Sequence, residues 1–221
     1  MLGNFSVGEY FKEDAIKYSY EYITEVLKVD KDKLWFTVYK DDDEAYDIWK
    51  NVIGVPEKRI QRGNEDNFWH MNIPGPCGPC SEIFIDRGPK YGEDGGPIGG
   101  GEDRFIEIWN LVFMESIQDQ PFQVIDELPK KNIDTGMGLE RIAMIMQDKD
   151  NLFDTDLFKP LHDALLSKIT VNDNKYEKII IDHIKSSTFM ISDGVVPTNE
   201  GRGYVLRLSL IHISEPTRRK H

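Results

Sequence analysis

The residue types best suited to chemistry lie in one stretch, Asp134-Thr135-Gly136-Met137-Gly138-Leu139-Glu140-Arg141. Asp134 supplies a carboxylate that suits an ammonium group. Gly136 and Gly138 let a ligand come close to the backbone. Arg141 offers a planar cation that suits phosphate. The stretch follows a β-like segment broken by proline and leads into Leu139, Ile142, Ala143 and Met146, whose spacing predicts a helix with a buried face. Arg141 then sits in the first helical turn, where the helix dipole disfavours a cation. A bound polyphosphate reverses that argument, because helix N-termini and Arg side chains both bind phosphate. ATP plus an amino acid is the economical reading. The plain alternative is a Gly-rich turn into a core helix with a solvated Arg.

Elements that can position this stretch are legible along the chain. The apolar stripe Phe11, Ala15, Tyr18, Tyr22 and Val26 predicts a helix over residues 8–28. Leu34 to Tyr39 is aromatic and β-branched and reads as a strand. Asp41 to Asp43 supply cap and first-turn acids for a helix through Lys50. A Gly- and Pro-rich loop covers 86–104, and its Gly99-Gly100-Gly101 lacks the spacing of a nucleotide-binding loop. Phe105 to Met114 reads as a buried strand in which Glu107 and Asn110 need polar partners, and a ligand can be one. Phe122 to Leu128 reads as the next antiparallel strand. From Thr155 the pattern turns helical, with Leu157, Phe158 and Leu161 on one face and Tyr176 to Ile191 forming another; His183 there reads as a core histidine.

The bulk numbers bound the answer. The chain has 221 residues, 39% hydrophobic and 30% charged, ordinary for a globular protein. Its net charge of −12 argues against a general nucleic-acid binder. No run approaches a membrane span and no signal segment opens the chain, so no membrane partner and a cytoplasmic location are expected. Cys77-Gly78-Pro79-Cys80 resembles a thioredoxin-type redox pair in isolation. It follows a turn-rich segment rather than a strand-to-helix junction, and two cysteines cannot complete a zinc site. It reads instead as a loop bordering the active site.

Longer segments carry a resemblance. Met1-Leu2-Gly3-Asn4-Phe5-Ser6 with Gly8, Tyr10, Phe11 and Lys12; Asp42-Asp43-Glu44-Ala45-Tyr46 with Ile48-Trp49; Asn67-Phe68-Trp69; Gly75 to Ile83; Ile106 to Met114; the stretch from Asp134 through Ala143; and Gly203 to Arg207 together resemble the alanyl-tRNA synthetases, of class II. The resemblance runs from Met1 to about Arg207. It implies an α+β fold, an antiparallel class II sheet flanked by helices, over residues 1–155, then the start of a helical tRNA-recognition domain over 156–207. Residues 208–221 resemble translated adaptor DNA and are expected to be a non-native tail. A family segment carrying an ATP-binding Arg precedes the position matched by Met1, so the chain on its own is expected to be an inactive fragment. Zinc is expected only in family regions outside this chain.

The implied reaction is ATP-dependent activation of L-alanine and its transfer to alanine tRNA. Carried over residue by residue, Asp134 holds the ammonium and Asn110 orients the amino acid. Gly136 keeps the pocket small, and Trp69 lines it and meets the nucleotide. Ile108 and Trp109 line the nucleotide site beside Asn110. Gly138 permits close approach of ATP, Arg141 clamps its phosphates and Phe5 packs near adenine. Mg²⁺ is expected with ATP, held mostly by phosphates and water. Plain alternatives are core roles for Trp69 and Trp109, a cap for Asn110 and a Lys131 partner for Asp134. A non-catalytic amino-acid or nucleotide-binding fragment is the alternative function, and a thiol oxidoreductase a distant third.

Overall fold

The computed structural model describes residues 1–168 and 174–214. The chain divides into two compact units, Met1–Ile142 and Ala143–His221. The first is built on a seven-stranded sheet with strands β1 (Phe5–Val7), β2 (Leu34–Tyr39), β3 (Ile60–Gly63), β4 (Phe68–His70), β5 (Gly75–Asp86), β6 (Phe105–Gln120) and β7 (Gln123–Met137). Their order is β1-β7-β6-β5-β2-β3, and β4 pairs with β5. The pairs are antiparallel as expected, except that β2 and β3 run parallel. That pair is joined through α2 (Asp43–Asp47), as a parallel connection requires a crossover.

Helix α1 (Lys12–Glu21) passes into a π-helical turn at Tyr22–Val26. The expected stripe is displaced. Lys12, Ala15, Ile16, Ser19 and Ile23 are buried, whereas Tyr18 and Val26 are exposed. The apolar count misses Lys12, whose ammonium lies 2.8 Å from Asp42 and 3.6 Å from Glu115 beneath the helix. Asp42 also caps α2, accepting from the Ala45 amide at 3.1 Å. The next turn, Ile48–Ile53, presents Trp49 to the sheet and ends at Gly54, whose φ of 83° is left-handed.

The loop after β5 carries a short helix, α3 (Gly96–Gly99). Strands β6 and β7 extend beyond the expected lengths into one long hairpin. Pro129 is accommodated because the pairing is irregular between Met114↔Asn132 and Ser116↔Glu127, where no ladder donor is needed. Helix α4 (Leu139–Met146) starts as expected. Its buried residues are Ile142 and Met144, while Leu139 and Met146 are exposed. Eight residues give barely two turns, too few for periodicity to fix the face.

The second unit contains α5 (Lys159–Leu166), α6 (Asn174–Ser192) and α7 (Gly201–Ser214). Ile180, Ile181 and Leu206 are buried. Gly203 allows close approach, since a Cβ there would meet the Val196 carbonyl at 2.4 Å. His183 is half-buried, with Nε2 3.0 Å from Nδ1 of His212. Residues 208–214 continue α7, while the basic end, Arg218-Arg219-Lys220, lies outside the described residues.

Candidate active site

Strand alternation gives the sheet two unlike faces. Phe36, Ile83, Leu111 and Phe113 are buried on the first. The Trp49 ring sits 4.1 Å from that of Phe36, its Nε1 donates to Ser81 Oγ at 2.8 Å, and Phe11 meets Phe113 edge-on at 6.0 Å. The neighbouring residues point the other way. Register places Gly136 opposite Asn110, Asn110 opposite Glu82 and Glu82 opposite Thr37. Asp134 lies opposite both Phe5 and Val112. Thus Phe5, Asp134, Gly136 and Asn110, separated by up to 131 positions, become cross-strand neighbours on one face.

Glu82 is the polar centre of that face, and the sequence reading gave it no role. Its Oε2 accepts from Thr37 Oγ1 at 2.8 Å and Asn67 Nδ2 at 3.0 Å, and its Oε1 faces Asn110 Nδ2 at 3.5 Å. Burial pushes its carboxyl up to about 7, aided by the charges of Glu107 and Asp66 and opposed by the Thr37 and Asn67 hydrogen bonds. The sequence held one signal: an acid in step with the polar face of a strand whose Ile83 and Ile85 are core. Asn110 Oδ1 is buried without a hydrogen-bond partner. Trp69, opposite Gly78 on β4, shares with Asn110 a pocket of about 370 Å³ also lined by Asp66, Phe68, His70 and Phe122.

Ile108 and Trp109 do not join this group. The pairings Ile83↔Trp109 and Phe84↔Glu107 leave Ile108 as an extra residue, a β-bulge. Glu107, opposite Phe84, therefore shares a face with Asn110, opposite Glu82. Ile108 and Trp109 turn together to the helix-covered face and are 2% and 3% exposed. Trp109 meets Tyr22 edge-on at 6.0 Å and lines a separate pocket with Leu2, Tyr18 and Met137. Counting positions along the strand could not reveal the bulge.

Arg141 is half exposed, with Nη1 3.0 Å from the Glu107 carbonyl and 3.3 Å from its carboxylate. The bulge thus brings the partner of Arg141 to the face that carries Asn110. A Cβ on Gly138 would meet only Arg141, at 3.9 Å, so packing within the chain does not demand glycine there. A Cβ on Gly136 would lie 2.3 Å from the end of the flexible Met1 side chain. Asp134 is exposed, and Lys131, its alternative partner, instead lies 3.3 Å from Glu115. Phe5 is 59% exposed.

The cysteine segment is not a loop. It belongs to β5, and the register shifts between Cys77 and Cys80. A Cβ on Gly78 would lie 1.9 Å from the Phe113 carbonyl, so the bulged strand requires glycine. Both thiols are free and buried. Burial raises the pKa of each, with Glu82 adding to the effect at Cys80, the reverse of a reactive redox pair. Among the described residues no three His, Cys, Asp or Glu side chains group as a metal site. None of the described helices is long and apolar enough to cross a membrane.

The family model described as tRNA synthetases class II (A) matches residues 1–212. The chain belongs to the class II tRNA synthetases. Within that family it is 51% identical over 230 residues to the alanine–tRNA ligase of Corynebacterium diphtheriae, covering 96% of this chain and 26% of that protein. It is 54% identical over 213 residues to that of Idiomarina loihiensis, covering 94% of this chain and 24% of the relative. The alanine–tRNA ligase of Thermobifida fusca is 50% identical over 224 residues. This class II synthetase chain therefore spans about a quarter of the length of the curated relatives it matches. The sheet flanked by helices and the resemblance read from the sequence agree with the family.

Proposed function

We propose that this chain is the amino-acid-activating part of an alanine–tRNA ligase, and that the row Asp134, Gly136, Asn110 is its amino-acid site. The supporting observation is the register that gathers these residues on one face, with Arg141 tied to Glu107 on the same face. Asp134 attracts the α-ammonium. Gly136, without a side chain, leaves room beside Asn110 for a small side chain. Asn110 offers an unpartnered acceptor. Trp69 closes the adjoining pocket.

In the reaction an alanine carboxylate oxygen attacks the α-phosphorus of ATP. The bond to the β-phosphate bridging oxygen breaks, and pyrophosphate leaves with that electron pair. Such a displacement needs positioning and charge neutralisation rather than a protein nucleophile. Arg141 exchanges Glu107 for the nucleotide phosphates, beside the N-terminus of α4. Mg²⁺ bound to the nucleotide would add phosphate-charge neutralisation to that supplied by Arg141. A ribose hydroxyl of the terminal adenosine of alanine tRNA then attacks the alanyl carbonyl, forming the ester, and AMP leaves with the anhydride oxygen. On this reading residues 1–155 form the activation domain and the helices from residue 156 begin tRNA recognition, in a cytoplasmic enzyme without a membrane partner. Ile108 and Trp109 support the site from the other face of the sheet, and Phe5 flanks Asp134 where adenine would pack.

The test is alanine-dependent exchange of labelled pyrophosphate into ATP by the full protein, compared with glycine, serine and valine. Alanine should be strongly preferred over valine and less so over serine and glycine, since small pockets separate such pairs by only ~10–200-fold. Exchange driven equally by valine would remove the alanine assignment.

A further inference from the structure

We propose that Glu82 is the positioning residue that orients the Asn110 carboxamide, holding its nitrogen and keeping its oxygen as the acceptor for the substrate's ammonium group. This rests on the amino-acid reading above and adds a residue that acts through Asn110.

A carboxamide can present either end to a neighbour, and an ionised carboxylate accepts only. Glu82 lies directly opposite Asn110 across β5 and β6. Its Oε2 already holds two donors, Thr37 Oγ1 and Asn67 Nδ2, which leaves Oε1 for Asn110. Asn67 is held in turn by burial against Gly63 and by a second bond, its Nδ2 donating to Thr37 Oγ1 at 2.8 Å. While Glu82 is ionised, Asn110 must turn its NH₂ toward it. The Asn110 oxygen is then left buried with no hydrogen-bond partner in the chain, an acceptor suited to a ligand donor.

Nothing structural requires the charge. The titratable groups facing Glu82 are the acids Glu107 on β6 and Asp66 in the turn before β4, and the Cys80 thiol on its own strand, which burial holds in its neutral form. Among the described residues no cation pairs with Glu82, and Arg141 is held by Glu107. A half-buried carboxylate with no cation partner, beside Glu107 and Asp66, burdens the fold, yet it is what fixes the amide and favours a cation nearby. Protonation reverses the arrangement. With Oε2 holding two donors, the proton goes to Oε1, which then donates to Asn110 Oδ1 and turns the NH₂ outward. Glu82→Gln does the same permanently.

Two measurements test this. The first follows the Asn110 side-chain amide by ¹⁵N NMR, assigned through Asn110→Asp, as pH is raised across the wild type's Glu82 titration. The amide signals should shift with a midpoint near 7 in wild type and not in Glu82→Gln. The second compares binding of L-alanine with L-lactate, which keeps the carboxylate and methyl but replaces the ammonium with a hydroxyl. Above the midpoint, Glu82→Gln should weaken alanine by roughly tenfold and leave lactate unchanged. Wild type should lose the same preference on acidification, a comparison that needs no variant. An Asn110 amide blind to Glu82 overturns the positioning role. An amide that follows Glu82 while wild type binds alanine and lactate alike supports the orientation but removes the amino-acid reading. A Glu82→Gln protein that keeps the full alanine preference overturns the ammonium role.

Discussion

On one face of the sheet Phe36, Ile83, Leu111 and Phe113 close under Trp49 and Phe11; on the other, one position along the same strands, stand Thr37, Glu82 and Asn110. The first face is held by packed rings, and the Trp49 N–H finds Ser81 there, although the Trp109 N–H is buried without a partner. The second holds a carboxylate with a raised pKa, a partnerless amide oxygen and an arginine lent to a backbone carbonyl. A pair of adjacent residues thus divides the labour. One stabilises, and its neighbour is left wanting a ligand.

Substitutions should separate the faces. Trp49→Ala removes a fully buried ring and should cost about 3–5 kcal/mol in urea unfolding; a loss below about 1 kcal/mol would mean that the helix layer is not what holds the sheet. On the other face, Arg141→Ala should leave the unfolding midpoint nearly unchanged, because a half-exposed ion pair contributes little. In the full-length protein it should nevertheless lower alanine-dependent pyrophosphate exchange by roughly 10–100-fold, as expected for a charge-assisted phosphate contact. Unchanged kinetics would return Arg141 to the role of a surface partner for Glu107.

Smaller effects sharpen the contrast. Asp134→Asn should raise the alanine KM by about tenfold and the ATP KM hardly at all. Equal losses for both substrates would indicate a folding defect instead. Glu82 should set function against stability. Its folded pKa lies above the ordinary carboxyl value, so its contribution is present at acid pH and lost as pH rises to about 7. Glu82→Gln should therefore flatten the pH dependence of unfolding and be the more stable protein at alkaline pH; a steeper dependence in the variant would contradict the assignment. Least affected should be the thiols. Cys77 and Cys80 should react with a disulfide reagent only slowly until urea is added, whereas rapid native labelling would revive a redox role.

The sequence was a good guide where chemistry and order along the chain suffice. Strand β2, the start of α4 and the Asp42 cap follow from local composition. Asn110 was legible as a polar break in an apolar strand. The failures involve long-range geometry. The stripe of α1 was misplaced because Lys12 is buried by acids contributed from α2 and β6. Glu82 went unassigned because its partners, Thr37, Asn67 and Asn110, lie on three other segments. The cysteines seemed to sit in a loop because Pro and Gly dominate that segment, whereas the bulged strand accommodates both. Ile108 and Trp109 were expected beside Asn110; plain alternation turns Trp109 to the other face, and the bulge turns Ile108 with it.

That extra residue lets β6 absorb an odd step in its length. Glu107 and Asn110 stand three positions apart yet share a face, because the bulge takes up Ile108. Removing Ile108 alone would restore strict alternation with Glu107 still opposite Phe84 and Arg141 still beside its partner. Straightening the bulge with Ile108 kept would instead turn Glu107 beneath the helices, take its carboxylate from Arg141 and turn Phe105 away from Trp35. The bulge and its extra residue should therefore be kept together or lost together among functional variants, a rule imposed by the pleat rather than by any single side chain.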